Sequence, residues 1–326
     1  MLILVSIHSP VAVWNIPADY VTRLSREFPG HSFLHAANET ETRQLLPDAD
    51  VMFSSEIDRP QFAIASRLKW IHSPAAGVGN MLFPEMVASP VVITNSRGVS
   101  ADTMAEHTLA VTLALFRNLP FAVARQHEHV WAQNEISARG NRTIAGSHVL
   151  VVGLGAIGSA IAQKMIALGA TVIGVRRHAG NSTVEGVSEV ATADRLRDLL
   201  PRADVVVVSA PHTSETKGLI GREELAVMKH DAVLVNVSRG RLVDEAALAA
   251  TLQEGRLAGA ALDVFEREPL PGDSPLWDLP NVLITPHTSG FRPDHLDVMT
   301  NLFAENLRRY DSDQPLLNVI DKRAGY

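Results

Sequence analysis

The stretch VLVVGLGAIGSAIAQKMIALGATVIGVRRH, from Val149 to His178, decides the fold. Gly153, Gly155 and Gly158 make G-x-G-x-x-G between an apolar run, HVLVV, and a helical run, SAIAQKMIALG, and a second apolar run, TVIGV, follows. In a strand–turn–helix–strand context the first glycine permits a tight turn. The second lets backbone approach a pyrophosphate, and the third lets helix and strand pack closely. Ala156 and Ile157 open the helix, whose unpaired N–H groups offer positive potential to phosphates. An acidic residue that would hold an adenosine ribose is expected about 20 residues after the glycines. Arg176 stands there instead, followed by Arg177 and His178. An aspartate would repel a 2′-phosphate, whereas a guanidinium attracts it with paired donors. The expected cofactor is NADP(H), with NAD(H) possible.

Working outward, β-branched runs without polar alternation suggest strands covered on both faces, as in a parallel sheet. Before the glycine turn these runs are Leu2–Ile7, Ser32–His35, Asp50–Phe53, Leu68–His72 and Val91–Thr94. After it they are Thr171–Val175, Asp204–Ser209, Ala232–Val237, Gly259–Asp263 and Val282–Thr285, with helical segments between them. Both halves therefore read as α/β with parallel strands. Between them VSADTMAEHTLAVTLALFRNLP predicts a helix of about five turns, with Ser100 as its N-cap and Pro120 marking its end. Asp294–Arg309 also reads as a helix, one that returns to the first domain.

The chain has 326 residues, 46% hydrophobic and 20% charged, which suits two globular domains. It contains no cysteine, so disulfides, thiolate nucleophiles and cysteine zinc sites are excluded. No metal ligand set is predicted. The net charge of −7 and the lack of a long basic run argue against a nucleic-acid partner. MLILVSI is too short to span a membrane and reads as a first buried strand, so no membrane partner and a cytoplasmic location are expected.

Three stretches fall at strand ends, where open α/β sheets bind ligands. In LVNVSRGRLVDE, Arg239 follows a strand directly and could fork onto a carboxylate and polarise the neighbouring carbonyl, while Arg241 reads as a surface charge. In ALDVFEREPL, Asp263 closes a strand and Glu268 lies just beyond; Glu266 and Asp273 are expected at the surface. In LITPHTSG, His287 follows another strand end. Of the other histidines, His72, His107 and His212 could approach the site but lack a partner in sequence. Arg239, Glu268 and His287 together suit hydride chemistry on a 2-oxo acid. His287 donates the proton, Glu268 stabilises the imidazolium, and Arg239 holds the carboxylate.

Through GLGAIGSAIA, NVSRGRLVDE, DVFEREPL and TPHTSG, in that order, the chain closely resembles the D-isomer-specific 2-hydroxyacid dehydrogenase family over nearly its whole length. The resemblance implies two flavodoxin/Rossmann-like domains with parallel sheets and a cleft between them. Residues 1–99 plus 292–326 would be the substrate-binding domain, and residues 100–291 the dinucleotide-binding domain. The helix Ser100–Leu119 would cross between domains and help form a homodimer. The family's catalytic Arg, Glu and His fall on Arg239, Glu268 and His287. Its carboxylate-binding loop falls on Ala76 and Gly77 of HSPAAGVGN, although Gly79 stands where aspartate is common. Its cofactor contacts fall on Thr103, on Ala210, Pro211 and Thr216 of SAPHTSET, on Val237, on Ser289, and on Asp263 facing the nicotinamide carboxamide. The basic pair Arg176–Arg177 resembles NADP-preferring members, among them glyoxylate/hydroxypyruvate reductases. The expected substrates are small 2-oxo or 2-hydroxy acids. Two alternatives stay open: formate or phosphite oxidation, whose formate-oxidising relatives carry glutamine at the position of Glu268, and a nucleotide-sensing corepressor-like scaffold on the same fold.

Overall fold

The computed structural model describes residues 1–178 and 184–326. The chain divides into two compact units, Met1–Val99 with Arg292–Tyr326, and Ser100–Phe291.

The first unit holds five parallel strands, β1 (Leu2–Ser6), β2 (Ser32–His35), β3 (Val51–Ser54), β4 (Trp70–Ser73) and β5 (Val92–Asn95), in the order β2-β1-β3-β4-β5. β3 and β4 are buried along their whole length, which is why their sequences lack polar alternation. The C-terminal helix His295–Asp311 packs on this unit and places Met299, Phe303, Ala304 and Leu307 in one core with Ile3, Val5 and Phe53. Phe303 stacks on Phe53 at 4.5 Å and on Trp70 at 5.4 Å between ring centroids. Residues nearly 250 positions apart are thus joined by offset aromatic packing.

His72 on β4 is fully buried. Its Nδ1 lies 2.7 Å from the Thr94 hydroxyl, which also accepts the Trp70 indole N–H at 2.8 Å. Its Nε2 lies 3.4 Å from the Ser96 hydroxyl, which in turn donates to the Ser73 carbonyl at 3.0 Å. The chain of donors closes if Thr94 donates to Nδ1 and Nε2–H donates to Ser96, so the ring is neutral. Burial lowers its pKa from the ordinary 6.5 to about 3. The folded-state value lies below the unfolded one, so this stability is complete above pH 6.5 and is lost as pH falls from there towards 3. At roughly 1.4 kcal/mol per unit, about 3 kcal/mol should disappear between pH 7 and pH 4. Urea melts at the two pH values should therefore lose about 3 kcal/mol less in His72→Gln than in the wild type. Equal losses in both would contradict the assignment.

The second unit holds β6 (His148–Val152), β7 (Thr171–Val175), β8 (Glu189–Ala191), β9 (Val205–Val208), β10 (Val233–Asn236), β11 (Gly259–Leu262) and β12 (Val282–Ile284). All are parallel, in the order β12-β11-β10-β9-β6-β7-β8. The strand order reverses at β6, so the glycine turn after β6 and the segment after β9 flank the switch point where such sheets bind dinucleotides. β8 is not among the expected strands; three residues are too few to display a period.

The helix expected over Ser100–Leu119 needs correction at both ends. It runs Ala101–Phe116, and the Ser100 side chain makes no capping bond. The chain turns at Asn118, which adopts φ 54, and Pro120 then sits in the first turn of a new helix, Leu119–His127, rather than closing the old one. A proline in the first helical turn costs no hydrogen bond because that N–H has no helical acceptor. No single helix among the described residues is long and apolar enough to cross a membrane.

Candidate active site

The glycine turn shows why each glycine is there. Gly153 adopts φ 106, and a Cβ on it would overlap the Ser209–Ala210 backbone at the end of β9. A Cβ on Gly158 would collide with the Gly153 carbonyl. Gly155 differs, for a Cβ there would meet nothing within 4 Å. The space above Gly155 is thus free for a ligand, at the start of helix Ala156–Ala167, which no side chain caps. Uncapped N–H groups facing open space suit an anionic phosphate, so the residues present fit a dinucleotide.

The other expected cofactor residues lie around the same edge. Ala210 is buried at the end of β9, and Pro211 beyond it is exposed. The Thr216 hydroxyl donates to the Pro211 carbonyl at 2.7 Å and accepts the Thr213 N–H at 2.8 Å, fixing that loop. Val237 and Ser289 are buried, and Thr103 lies half-buried in the first turn of helix Ala101–Phe116. Arg176 at the end of β7 is half-buried, with no carboxylate within ion-pair distance among the described residues. Arg177 is exposed and pairs with Glu215 at 2.8 Å. The two arginines are therefore unequal, because an anion approaching Arg177 competes with Glu215.

Arg239, Asp263 and His287 follow β10, β11 and β12, so parallel register sets all three at one edge of the sheet. The turn carrying Arg239 is built by Asn236, whose Oδ1 accepts the Ser238 N–H at 3.1 Å and whose Nδ2 donates to the Arg239 carbonyl at 3.1 Å. Gly240 packs directly on Phe265, and a Cβ there would overlap the Phe265–Glu266 backbone. That contact brings the Arg239 loop to the Glu268 loop. Arg239 has accessible surface although it is surrounded by protein. Burial lowers its pKa and Glu268 opposes that shift; an accessible guanidinium keeps its charge at neutral pH.

His287 Nδ1 lies 2.7 Å from Glu268 Oε2. The other Glu268 oxygen accepts the Phe265 N–H at 3.0 Å. Burial would raise the Glu268 pKa, but the hydrogen bonds from His287 and Phe265 and the charges of His287 and Arg239 outweigh it, leaving the carboxyl below its usual range. An ionised carboxylate can only accept, so Nδ1 carries the proton towards Glu268 and Nε2 is left outward as the site of proton exchange.

His287 sits at φ 54, a left-handed conformation that costs an L-residue about 1–2 kcal/mol. Asp263 holds it there. The Asp263 carbonyl accepts the His287 N–H at 2.8 Å. The buried Asp263 carboxylate accepts the Thr285 hydroxyl at 2.6 Å and the N–H groups of Thr288 and Ser289 at 2.9 and 3.0 Å. Asp263, expected to face a carboxamide, thus organises the His287 loop through three protein donors. Thr285 also lies 3.3 Å from His107 Nε2. The sequence names His107 as a residue that could approach the site but offers it no partner; the structure supplies Thr285, whose one signal in sequence is its position two residues before His287. Among the described residues no group of three or more His, Asp or Glu side chains is placed to hold a metal ion.

In the first unit, Ala76 and Gly77 follow β4. The Ala76 carbonyl accepts the Asn95 amide, while the N–H groups of Ala76 and Gly77 make no hydrogen bond among the described residues. Two consecutive free amides suit a carboxylate.

Residues 109–289 match the profile of the D-isomer specific 2-hydroxyacid dehydrogenase, NAD binding domain. D-3-phosphoglycerate dehydrogenase of Mycobacterium bovis is 36% identical over 267 residues, 81% of this chain and 49% of that protein. Glyoxylate reductase of Korarchaeum cryptofilum is 33% identical over 283 residues, 84% of this chain and 83% of that one. The chain spans about half the length of the phosphoglycerate dehydrogenases it matches. Among solved structures, the NADPH-dependent glyoxylate/hydroxypyruvate reductase of Sinorhizobium meliloti, in complex with NADP and sulfate, superposes with a TM-score of 0.85 at 27% identity, covering 100% of both chains.

Proposed function

Because the chain belongs to the D-isomer specific 2-hydroxyacid dehydrogenase family, we propose that it is an NADPH-dependent reductase of small 2-oxo acids, glyoxylate and hydroxypyruvate foremost, giving D-2-hydroxy acids. The observation that carries this reading is the 2.7 Å contact between His287 Nδ1 and Glu268, with Arg239 at the adjoining strand end. The nicotinamide supplies the hydride when bound. His287 gives the proton on Nε2 to the carbonyl oxygen as negative charge develops there. Glu268 keeps the ring oriented and stabilises its positive form. Arg239 holds the carboxylate and draws density from the adjacent carbonyl. A carboxylate beside His287 favours proton donation and disfavours the formate- or phosphite-oxidising alternative. A panel of 2-oxo acids with NADPH tests the assignment, and no turnover of any member would remove it.

The preference for NADPH rests on Arg176, whose guanidinium has no carboxylate partner among the described residues and is offered to a 2′-phosphate. Arg176→Asp should lower NADPH affinity by roughly 10- to 100-fold, the value of a charged hydrogen bond, while NADH affinity changes far less. Titration of each cofactor by fluorescence measures both, and equal losses would contradict this role. The chain is further expected to be a homodimer. Leu119, Val123, Val130 and Trp131 expose apolar surface along 119–131, Trp131 at 90%, and such a patch favours a protein partner. Sedimentation velocity should give twice the chain mass, and Trp131→Glu should shift it to the monomer; a monomeric wild type would refute the dimer.

A further inference from the structure

The proposed chemistry leaves His107 unused. This residue lies half-buried in the second turn of helix Ala101–Phe116. The helix shares one core with the sheet of its own unit, where Ala105 and Val111 pack in the same cluster as Ala261 of β11 and Leu283 of β12. Asp263 and Thr285 directly follow those two strands. The His107 ring reaches the second of them, with Nε2 3.3 Å from the Thr285 hydroxyl.

Counting protons assigns the direction of that contact. A threonine hydroxyl has one proton to give. Thr285 gives it to Asp263 Oδ1 at 2.6 Å, so towards His107 the same oxygen can only accept. Burial lowers the His107 pKa, with Asp263 opposing the shift, and the ring is neutral at neutral pH with its proton on Nε2. The donors then run one way, from His107 to Thr285 to Asp263, and each bond polarises the next. Asp263 is where this chain meets the His287 loop. Its carboxylate also accepts the N–H groups of Thr288 and Ser289 at 2.9 and 3.0 Å, and its carbonyl accepts that of His287 at 2.8 Å. Without a donor at position 107, the Thr285 hydroxyl loses one of the two contacts that fix its rotamer.

We propose that His107 is a positioning residue of the reaction: its Nε2–H pins Thr285 against Asp263 and so keeps the His287 ring seated on Glu268. This rests on the reading above in which His287 is the general acid. In this role His107 governs turnover and leaves substrate binding alone.

The test combines substitutions with two readouts. One is kcat and KM for hydroxypyruvate with NADPH. The other is the ring-nitrogen NMR signals of His287, assigned by their loss in His287→Ala. His107→Leu keeps the bulk of the side chain and removes the donor. It should lower kcat by roughly 5- to 10-fold, the value of a neutral hydrogen bond, leave KM nearly unchanged, and shift the His287 signals. His107→Gln presents an amide N–H in place of Nε2 and should recover most of the lost kcat. Thr285→Val should cost at least as much as His107→Leu, and adding His107→Leu to it should cost nothing further, because the chain is already cut. An unaltered kcat in His107→Leu, a His107→Gln variant as slow as His107→Leu, or losses that multiply in the double variant would overturn the proposal. If the His287 signals follow His107 while no 2-oxo acid is turned over, the positioning role stands and the reaction reading fails. If the wild type reduces hydroxypyruvate and neither kcat nor the His287 signals respond to His107→Leu, the reverse holds.

Discussion

His287→Ala is expected to lower kcat by roughly 10²–10⁴-fold, the range for loss of a positioned general acid. The ring is nearly half exposed, and its one side-chain hydrogen bond among the described residues is to Glu268, so its removal leaves the core untouched. The proton moves only in the transition state, and kcat and kcat/KM should therefore fall together. A raised KM with kcat retained would place His287 in binding rather than proton transfer. The partner substitution tests the same pair. Glu268 lies below the usual carboxylate range because His287, Phe265 and Arg239 favour its charged form, so it is an anion throughout the neutral range and its 2.7 Å contact orients the ring. Glu268→Gln should therefore lower kcat and kcat/KM together, with KM little changed. An unaltered kcat would separate the two residues functionally.

The second large effect separates two glycines three residues apart. Gly158→Val drives a side chain into the Gly153 carbonyl, where helix and strand touch. Backbone has no rotamer to yield, and the cost is roughly 3 kcal/mol or more. A fall in Tm of roughly 10 °C should result. Gly155→Val places its side chain in open space at φ −84, which any L-residue adopts. Its Tm should stay within about 2 °C of the wild type, while NADPH affinity falls by roughly 100-fold through exclusion of the phosphates and loss of their charged hydrogen bonds. If Gly155→Val bound NADPH normally, the dinucleotide would not lie over this turn.

The contrast between these glycines also marks what sequence can convey. G-x-G-x-x-G identifies both because each sits at a fixed offset from a strand and a helix. The unbroken apolar runs give nearly every strand, since burial on both faces of a parallel sheet leaves its mark on consecutive residues. Glu268 and His287 are legible as a pair because they follow neighbouring strands, and parallel register carries both to one edge. Pairings between distant loops leave no such periodic trace. Arg177 and Glu215 stand 38 residues apart in loops without a repeat. The left-handed backbone of His287, and the three donors that engage Asp263, follow from a turn geometry that no spacing encodes. Pro120 misleads for another reason: the same residue ends one helix or begins the next, and only the turn at Asn118 decides between them.

The proposed chemistry requires His287 and Arg239 to act on a 2-oxo acid. The most direct measurement is incubation of the purified protein with NADPH and hydroxypyruvate, following the absorbance of the reduced cofactor and resolving the product on a chiral column. Cofactor consumption above the buffer control and D-glycerate as the product are expected. Formation of L-glycerate, or no consumption beyond the control, would contradict the proposed chemistry.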